Sequence, residues 1–352
     1  GGARCNALDH HIQSGLGNVD FYAVNTDLQS LRMNLASNKI QIGAQLTGGT
    51  GSGGRPETGR RACEESIDVI RDVVAGYEMV FLAAGEGGGT GTGASPLIAQ
   101  VARQQGCLVV AVVTKPFEFE GQARAQRAIE GLHALRPMVD TLIVIPNEKL
   151  HQLYPNEPLV EAFGLADDVI SSAVRGVAEI VTIPQYVNID FSDVRDVLQE
   201  PGGAMMGQAV ATGADRARSA ATKAICSPLM DQLSVETARR ALLNICGDER
   251  LTVSEVSEVA AAIREATNPQ IDIRFGATQD PKLNGLLKVT VIATGIEELV
   301  IGVVGLQELL DARHDVLSRR RIGAGDPKAT TVVNMTDKND LRIPTVLRRH
   351  LD

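Results

Sequence analysis

Apolar and polar positions along this chain follow two rhythms. Through the first half, short apolar runs are separated by segments with the three-to-four-residue spacing of an amphipathic helix. The runs are "VDFYAVNTD" (19–27), "EMVFLAAG" (78–85), "CLVVAVVTKPF" (107–117) and "VDTLIVIPN" (139–147), and the helical patterns fall over 56–77, 95–106 and 120–136. Such alternation predicts a parallel sheet covered by helices on both faces. One long helix is predicted over 163–184, with Val169, Ile170, Ala173, Val174, Val177, Ile180 and Val181 at helical spacing and Pro184 ending it. After about residue 185 the rhythm changes. Helices near 215–226 and 253–266 and the apolar runs "ARRALLNICG", "QIDIRFGAT" and "LLKVTVIATG" follow one another more closely, which predicts a second, smaller α/β domain with a mixed sheet.

The run "GEGGGTGTGAS" (85–95) stands directly after the apolar stretch "EMVFLAA" and just ahead of a helical pattern. In a parallel sheet, ligands sit beyond the carboxyl ends of the strands. Glycines there let the backbone approach a ligand, and the helix start adds N–H groups and a positive dipole end, so the stretch is read as a phosphate cradle. It is not a Walker loop, because no Gly-Lys pair occurs in the chain, and it fits a dinucleotide fingerprint only in the loose form Gly89, Gly91, Ala94.

Composition narrows the field. A chain of 352 residues with 44% hydrophobic residues suits two ordinary globular domains. The net charge of −9, with basic residues scattered until short clusters near the end, announces no face for nucleic acid. The cysteines Cys5, Cys63, Cys107, Cys226 and Cys246 are odd in number and never in a C-x-x-C, which points to reduced thiols packed as small hydrophobes rather than to a disulfide framework or zinc site. No apolar stretch reaches the ~20 residues of a membrane span. His10 and His11, adjacent on a helical pattern, do not share a face and are read as surface residues.

"GGGTGTG" (87–93) resembles the signature of the tubulin/FtsZ superfamily, and the likeness runs well beyond it. It takes in "NTD" (25–27), "TKPFEFEGQARAQRAIEGLHALR" (114–136), "VDTLIVIPNEKL" (139–150), "EAFGLADDVI" (161–170) and "VNIDFSDVRDVL" (187–198). It continues through "AMMGQAVATGADRARSAATKAICSPL" (204–229) and "LKVTVIATG" (287–295), and "LRIPTVLRRHLD" (341–352) resembles the family's C-terminal tail. The likeness is specific to the bacterial cell-division branch. It implies a Rossmann-like parallel-sheet GTPase domain joined by a long core helix to a smaller α/β domain. The boundaries expected are 1–162 for the GTP-binding domain, 163–184 for the helix, 185–295 for a GTPase-activating domain, 296–340 for a linker and 341–352 for a partner-binding tail.

The resemblance also implies a site for GTP or GDP with Mg²⁺, assembled from several loops. Gly1, Gly2 and Asn6 match its first phosphate loop, and Gly87, Gly88, Gly89, Thr90, Gly91, Thr92 and Gly93 match the main one. "GGTGSGGRP" (48–56) is similar in glycine content to a third. Glu120 and Arg124 match ribose and phosphate contacts and, four apart on a predicted helix, share a face. Phe163 and Asp167 match the guanine contacts: a ring can stack on the base, and a carboxylate can accept from the ring N–H and amine of guanine. Read alone, Phe163 would be core and Asp167 the start of a charged face.

Asn188, Asp190 and Asp193 in "NIDFSD" match the family's catalytic loop. Read alone, Asp193 would cap the following helix. The long helix separates this loop from the guanine contacts: some twenty residues at 1.5 Å each span about 30 Å. Asp190 and Asp193 therefore reach only a nucleotide held by a neighbouring molecule, which requires head-to-tail self-association into an open filament. In that scheme Asp190 and Asp193 polarise the attacking water and Asn188 positions the loop.

Some features depart from the family. The resemblance implies a first strand ahead of "GGARCNALDH", which is read as missing from this sequence, and Arg4 stands where glycine is common, where it either pairs with phosphate or crowds the loop. Residues 296–340 hold "EELVIGVVGLQELLDARHDVLSRRR", an amphipathic pattern ending in a basic run in place of a polar linker. The tail 341–352 resembles the peptide that docks onto membrane-tethering division proteins of the FtsA or ZipA kind, which implies a cytoplasmic protein at the mid-cell ring. Two other functions remain open: a tubulin-like filament with another task such as DNA segregation, and a nicotinamide oxidoreductase in which Asp27 would bind ribose.

Overall fold

The computed structural model describes residues 19–153, 159–182, 189–227, 229–230 and 235–296. All of them fall within one compact unit. The chain begins with β1 (Tyr22–Asn25), α1 (Leu28–Met33) and β2 (Asn38–Gln41), then the helices α2 (Ala44–Thr47), α3 (Pro56–Glu65) and α4 (Ile67–Val74). There follow β3 (Met79–Gly85), α5 (Thr90–Gln104), β4 (Leu108–Lys115), α6 (Gln122–Leu135), β5 (Thr141–Pro146) and α7 (Asn147–Leu153). The long helix α8 (Leu159–Thr182) and α9 (Phe191–Leu198) lead into β6 (Gly203–Ala211), α10 (Arg216–Ile225), β7 (Arg240–Gly247), α11 (Val253–Ala266), β8 (Asp272–Gln279) and β9 (Leu287–Ile296).

Strands β3, β4 and β5 pair in parallel, as their continuous apolar runs require. β4 shows why such a run cannot alternate: Leu108, Val110 and Val112 face one core while Val109, Ala111 and Val113 face the other, and all are buried. Each fully buried Val or Leu contributes about 1.5–3 kcal/mol relative to exposure, so this central strand alone anchors both helical layers. Beyond β5 a single parallel pairing, Ile143 with Ala204, joins β6, and the order continues β9-β7-β8. β6 and β7 each run antiparallel to β9, while β7 and β8 are parallel, which makes the predicted mixed sheet.

Helix α8 ties the two parts together. Its Ile170, Ala173, Val174, Val177 and Ile180 share one core with Leu108 and Val110 of β4, Ile143 and Ile145 of β5, Leu242 of β7 and Ile292 of β9. Of the residues read from periodicity, Val169 packs at the edge of that core and Val181 is exposed.

Several elements differ from the sequence reading. The pattern over 56–77 breaks at Ser66 (φ −111°, ψ 20°) into α3 and α4. α5 starts at Thr90, inside the glycine run, and so carries Pro96 in its interior, where the pattern had put the start at 95. Residues Asn38–Gln41 and Gly203–Ala211 form β2 and β6, which apolar spacing did not announce, the first because it is four residues long and the second because glycine, alanine and methionine dilute it. β2 pairs in parallel with β1 in a sheet of its own.

Candidate functional site

The glycine run leaves the carboxyl end of β3 and becomes the first turns of α5. Its glycines divide into distinct kinds. Gly87 takes φ 91°, a left-handed conformation that L side chains rarely adopt, and a Cβ there would also stand 2.6 Å from Arg124 O. Gly89 and Gly93 pack against α3 and the loop before it: a Cβ on Gly89 would lie 2.7 Å from Arg55 N and overlap Ser52 Oγ, and one on Gly93 would lie 2.7 Å from Arg60 N and overlap Pro56 O. A Cβ on Gly91 would stand 2.6 Å from Gly85 O. Of the run, only a Cβ built on Gly88 would meet nothing within 4 Å. Much of the run is therefore bare so that α5 can start against its neighbours, and Gly88 marks the open side.

The interleaved threonines hold the loops together. Thr92 Oγ1 accepts from Gly87 N at 2.9 Å, so that amide is spent within the loop. Thr90 Oγ1 lies 2.7 Å from Thr26 Oγ1 and 3.0 Å from Ser52 Oγ, a buried hydroxyl chain joining the end of β1, the loop before α3 and the start of α5. The N–H groups of Thr90, Gly91 and Thr92, in the first turn of α5, have no intrahelical acceptor and carry the positive end of a helix of 15 residues. An anion fits there.

Glu120 and Arg124 form a 2.8 Å ion pair, but they do not share one helix as their spacing predicts. Glu120 ends a short 3-10 turn and Gly121 (φ 95°) separates it from α6, so the two are not on one helix. Glu120 Oε1 also accepts from Phe117 N at 2.9 Å, which leaves the guanidinium of Arg124, 44% exposed, as the cation beside Gly87. Asp27, the residue a dinucleotide site would need for ribose, caps α1 instead. Its carboxylate accepts from Gln29 N at 2.9 Å, Ser30 N at 3.3 Å and Ser30 Oγ at 2.9 Å, and the Ser30 hydroxyl above all pulls its pKa below the usual carboxylate value.

Asp167 is buried in α8. Phe163 belongs to the same helix, but its side chain lies outside the described residues, as do Gly1, Gly2, Arg4, Asn6, Cys5, His10, His11, Asn188 and everything from 297 to 352, including the amphipathic segment and the tail. Cys63, Cys107 and Cys246 are buried and Cys226 is exposed; burial pushes the Cys63 thiol up to about 12.

Asp190 and Asp193 sit at the other edge of the sheet. Asp190 occupies the N-cap of α9 (φ −70°, ψ 148°) yet its side chain makes no cap hydrogen bond, and Asp193 follows in the first turn. The carboxyl end of α9 is fastened to the amino end of β5: Thr141 Oγ1 donates to Leu198 O, and Gln199 Nε2 donates to Asp140 Oδ1 at 3.3 Å. Arg240, the first residue of β7, donates to Asp196 O at 2.9 Å. The glycine run leaves the carboxyl end of β3, which runs parallel to β5 through β4. The two carboxylates and the anion cradle thus lie at opposite edges of one sheet, with α8 running between; from Asp167 to Thr182 that helix alone covers about 22 Å.

Parallel strands whose carboxyl edge carries a glycine-rich turn into a helix start are the architecture of nucleotide-binding α/β proteins. Comparison with known proteins narrows the class. Residues 1–155 match the profile described as Tubulin/FtsZ family, GTPase domain, and residues 202–297 that of the FtsZ family, C-terminal domain. Cell division protein FtsZ of Caulobacter vibrioides is 47% identical over 299 residues, 84% of this chain, and the chain spans 59% of that protein's length. The solved structure of an empty FtsZ dimer from M. jannaschii is similar at a TM-score of 0.80 and 41% identity, covering 84% of this chain and 85% of that one. CetZ2 from Haloferax volcanii, solved as a GTPγS-bound protofilament, shares the fold at a TM-score of 0.73 and 22% identity, covering 91% and 96% of the two chains. The chain belongs to the tubulin/FtsZ family.

Proposed function

We propose that this protein binds and hydrolyses GTP, stacks head to tail into filaments, and completes each active site between adjacent subunits. The observation that carries the reading is the placement of Asp190 and Asp193 at the sheet edge opposite the anion cradle. A subunit cannot turn those carboxylates on its own nucleotide. A second copy stacked along the sheet direction brings one edge of the first against the other edge of the next, and repetition of that contact extends a filament.

In this arrangement the first turn of α5, the open face at Gly88 and the Arg124 guanidinium hold the phosphates, Glu120 positions Arg124 toward the ribose and phosphates, and Asp167 with Phe163 reads the guanine. Gly1, Gly2 and Asn6 complete the pocket. Asp190 and Asp193 of the neighbouring subunit orient and polarise the attacking water, and Asn188 fixes their loop. Mg²⁺ would accompany the triphosphate, where it would supply charge neutralisation at the phosphates.

The identity with a protein named for cell division supports assembly at the mid-cell ring over a filament for DNA segregation. The tail 341–352 is the segment we assign to membrane-tethering division proteins of the FtsA or ZipA kind. No helix among the described residues is long and apolar enough to cross a membrane.

The test mixes two inactive variants. Asp193→Ala keeps a nucleotide pocket and Asp167→Ala keeps the carboxylates, so a mixed filament contains junctions with both and regains phosphate release above either variant alone. No regain on mixing, or full activity of Asp193→Ala by itself, contradicts the scheme.

A further inference from the structure

Asp193 does not stand alone on its edge of the sheet. Its Oδ1 lies 3.6 Å from Nε of Arg274, the third residue of β8, and the same guanidinium stands 3.5 Å from Asp272 Oδ2. β8 is the terminal strand of the seven-stranded sheet. Along it Ile273 and Phe275 pack into the core under α10 and α11, so Asp272 and Arg274, one residue out of step, lie on the opposite face, where α9 packs. The register puts Arg274 beside Leu242 of β7, which is fully buried in the core shared with α8 and α9. The strand thus carries a cation at the margin of an apolar face, directed at the first turn of α9.

Stability is a poor reason for it. The side chains of Arg274, Asp193 and Asp272 are 44%, 39% and 46% exposed, and ion pairs at such exposure contribute little to folding. The cation that α9 itself carries is engaged differently: Arg195 lies over the ring of Phe191, 5.3 Å from its centroid. If Asp193 and Asp190 approach a triphosphate across a subunit junction, like charges are driven together in a partly dry contact, where their repulsion is stronger than in water. A paired carboxylate meets that repulsion reduced and in one orientation.

Resting on the trans-acting role of Asp193 proposed above, we infer that Arg274 is a positioning residue for hydrolysis: it pins the Asp193 carboxylate and offsets its charge at the face that meets the next subunit's GTP. The guanidinium acts through Asp193, so its loss reduces turnover and leaves the subunit's own pocket, at the other edge of the sheet, intact.

The experiment compares Arg274→Ala, Arg274→Lys, Asp193→Ala and the double variant Asp193→Ala/Arg274→Ala in the full chain. Steady-state phosphate release with Mg²⁺ and GTP gives kcat and KM; nucleotide-free thermal melting reports folding. Arg274→Ala is expected to lower kcat about tenfold, the scale of a misplaced catalytic group, with KM within about twofold and melting unchanged. Arg274→Lys recovers most of the rate because it restores the charge, and the double variant matches Asp193→Ala. Wild-type or faster turnover of Arg274→Ala, a fall in melting that accounts for its loss, or a lysine variant as slow as alanine overturns the inference. Wild-type turnover of Asp193→Ala overturns the trans-acting reading itself, and is separate from any of these.

Discussion

The contrast between Gly88 and Gly93 yields the sharpest prediction about the glycine run. Replacing Gly93 by alanine places a methyl 2.7 Å from Arg60 N and in overlap with Pro56 O, both on the backbone of α3 and both below the 3.0 Å that real Cβ contacts keep. Backbone cannot swing aside as a side chain can, so α3 has to move. Two backbone clashes put the overpacking cost in the upper part of its usual range, about 2–3 kcal/mol, and the better helix propensity of alanine returns about 1 kcal/mol. The net loss is about 1–2 kcal/mol, or a melting point lower by about 3–6 °C. Gly88→Ala meets nothing within 4 Å and carries no positive φ, so its stability stays within about 0.5 kcal/mol of the parent. Its methyl instead enters the open side of the cradle and weakens nucleotide binding by about tenfold, or ~1.4 kcal/mol. Nucleotide-free melting followed by circular dichroism, paired with titration of a fluorescent guanine nucleotide, reads both effects. A Gly93→Ala protein as stable as the parent would refute the packing account of the run. A Gly88→Ala protein that binds normally would refute the assignment of its open face to phosphate.

Other predictions concern the thiols, the ion cluster and the hydroxyl chain. Under native conditions a maleimide labels Cys226 while Cys63, Cys107 and Cys246 stay unmodified until the protein unfolds, as mapped by mass spectrometry. Arg216 donates to Asp248 at 2.8 Å and to Glu255 at 2.6 Å, and it is the first cause holding both carboxyls below their ordinary range. Because both folded values are depressed, this stabilisation is complete above the unfolded-state values, from about pH 5 upward, and drains away as pH falls through the folded values. Arg216→Met therefore melts lower at pH 7 and shows a shallower further loss between about pH 5 and 2, measured as melting temperature against pH. Thr90→Val breaks the link among Thr26, Ser52 and α5, strands buried hydroxyls and lowers stability by about 1–3 kcal/mol in denaturant titration.

Sequence pattern reached the strands that are buried on both faces and the helices with an unbroken stripe, because burial itself writes those patterns. β4 and α8 are cases of each. It missed β2, too short to show a period, and β6, where Gly207 leaves no room for a side chain beside Ala224 O and dilutes the apolar signal. The chemistry at 85–95 was legible as glycine content after a strand, yet the division of labour within it was not. Gly93 is bare because of Pro56 and Arg60, which only the packing of α3 on α5 reveals. Spacing put Glu120 and Arg124 on one helix face, whereas Gly121 inserts a turn between them and the two meet as an ion pair. Arg274 gave no signal at all, since its meeting with Asp193 depends on strand register between residues distant in the chain.

The central claim is that one subunit's carboxylates act on its neighbour's nucleotide, and the direct measurement is phosphate release per subunit across a dilution series with GTP and Mg²⁺ saturating. The account predicts turnover near zero in dilute protein, rising steeply where light scattering reports assembly. A rate per subunit that holds constant down to the lowest concentration contradicts it.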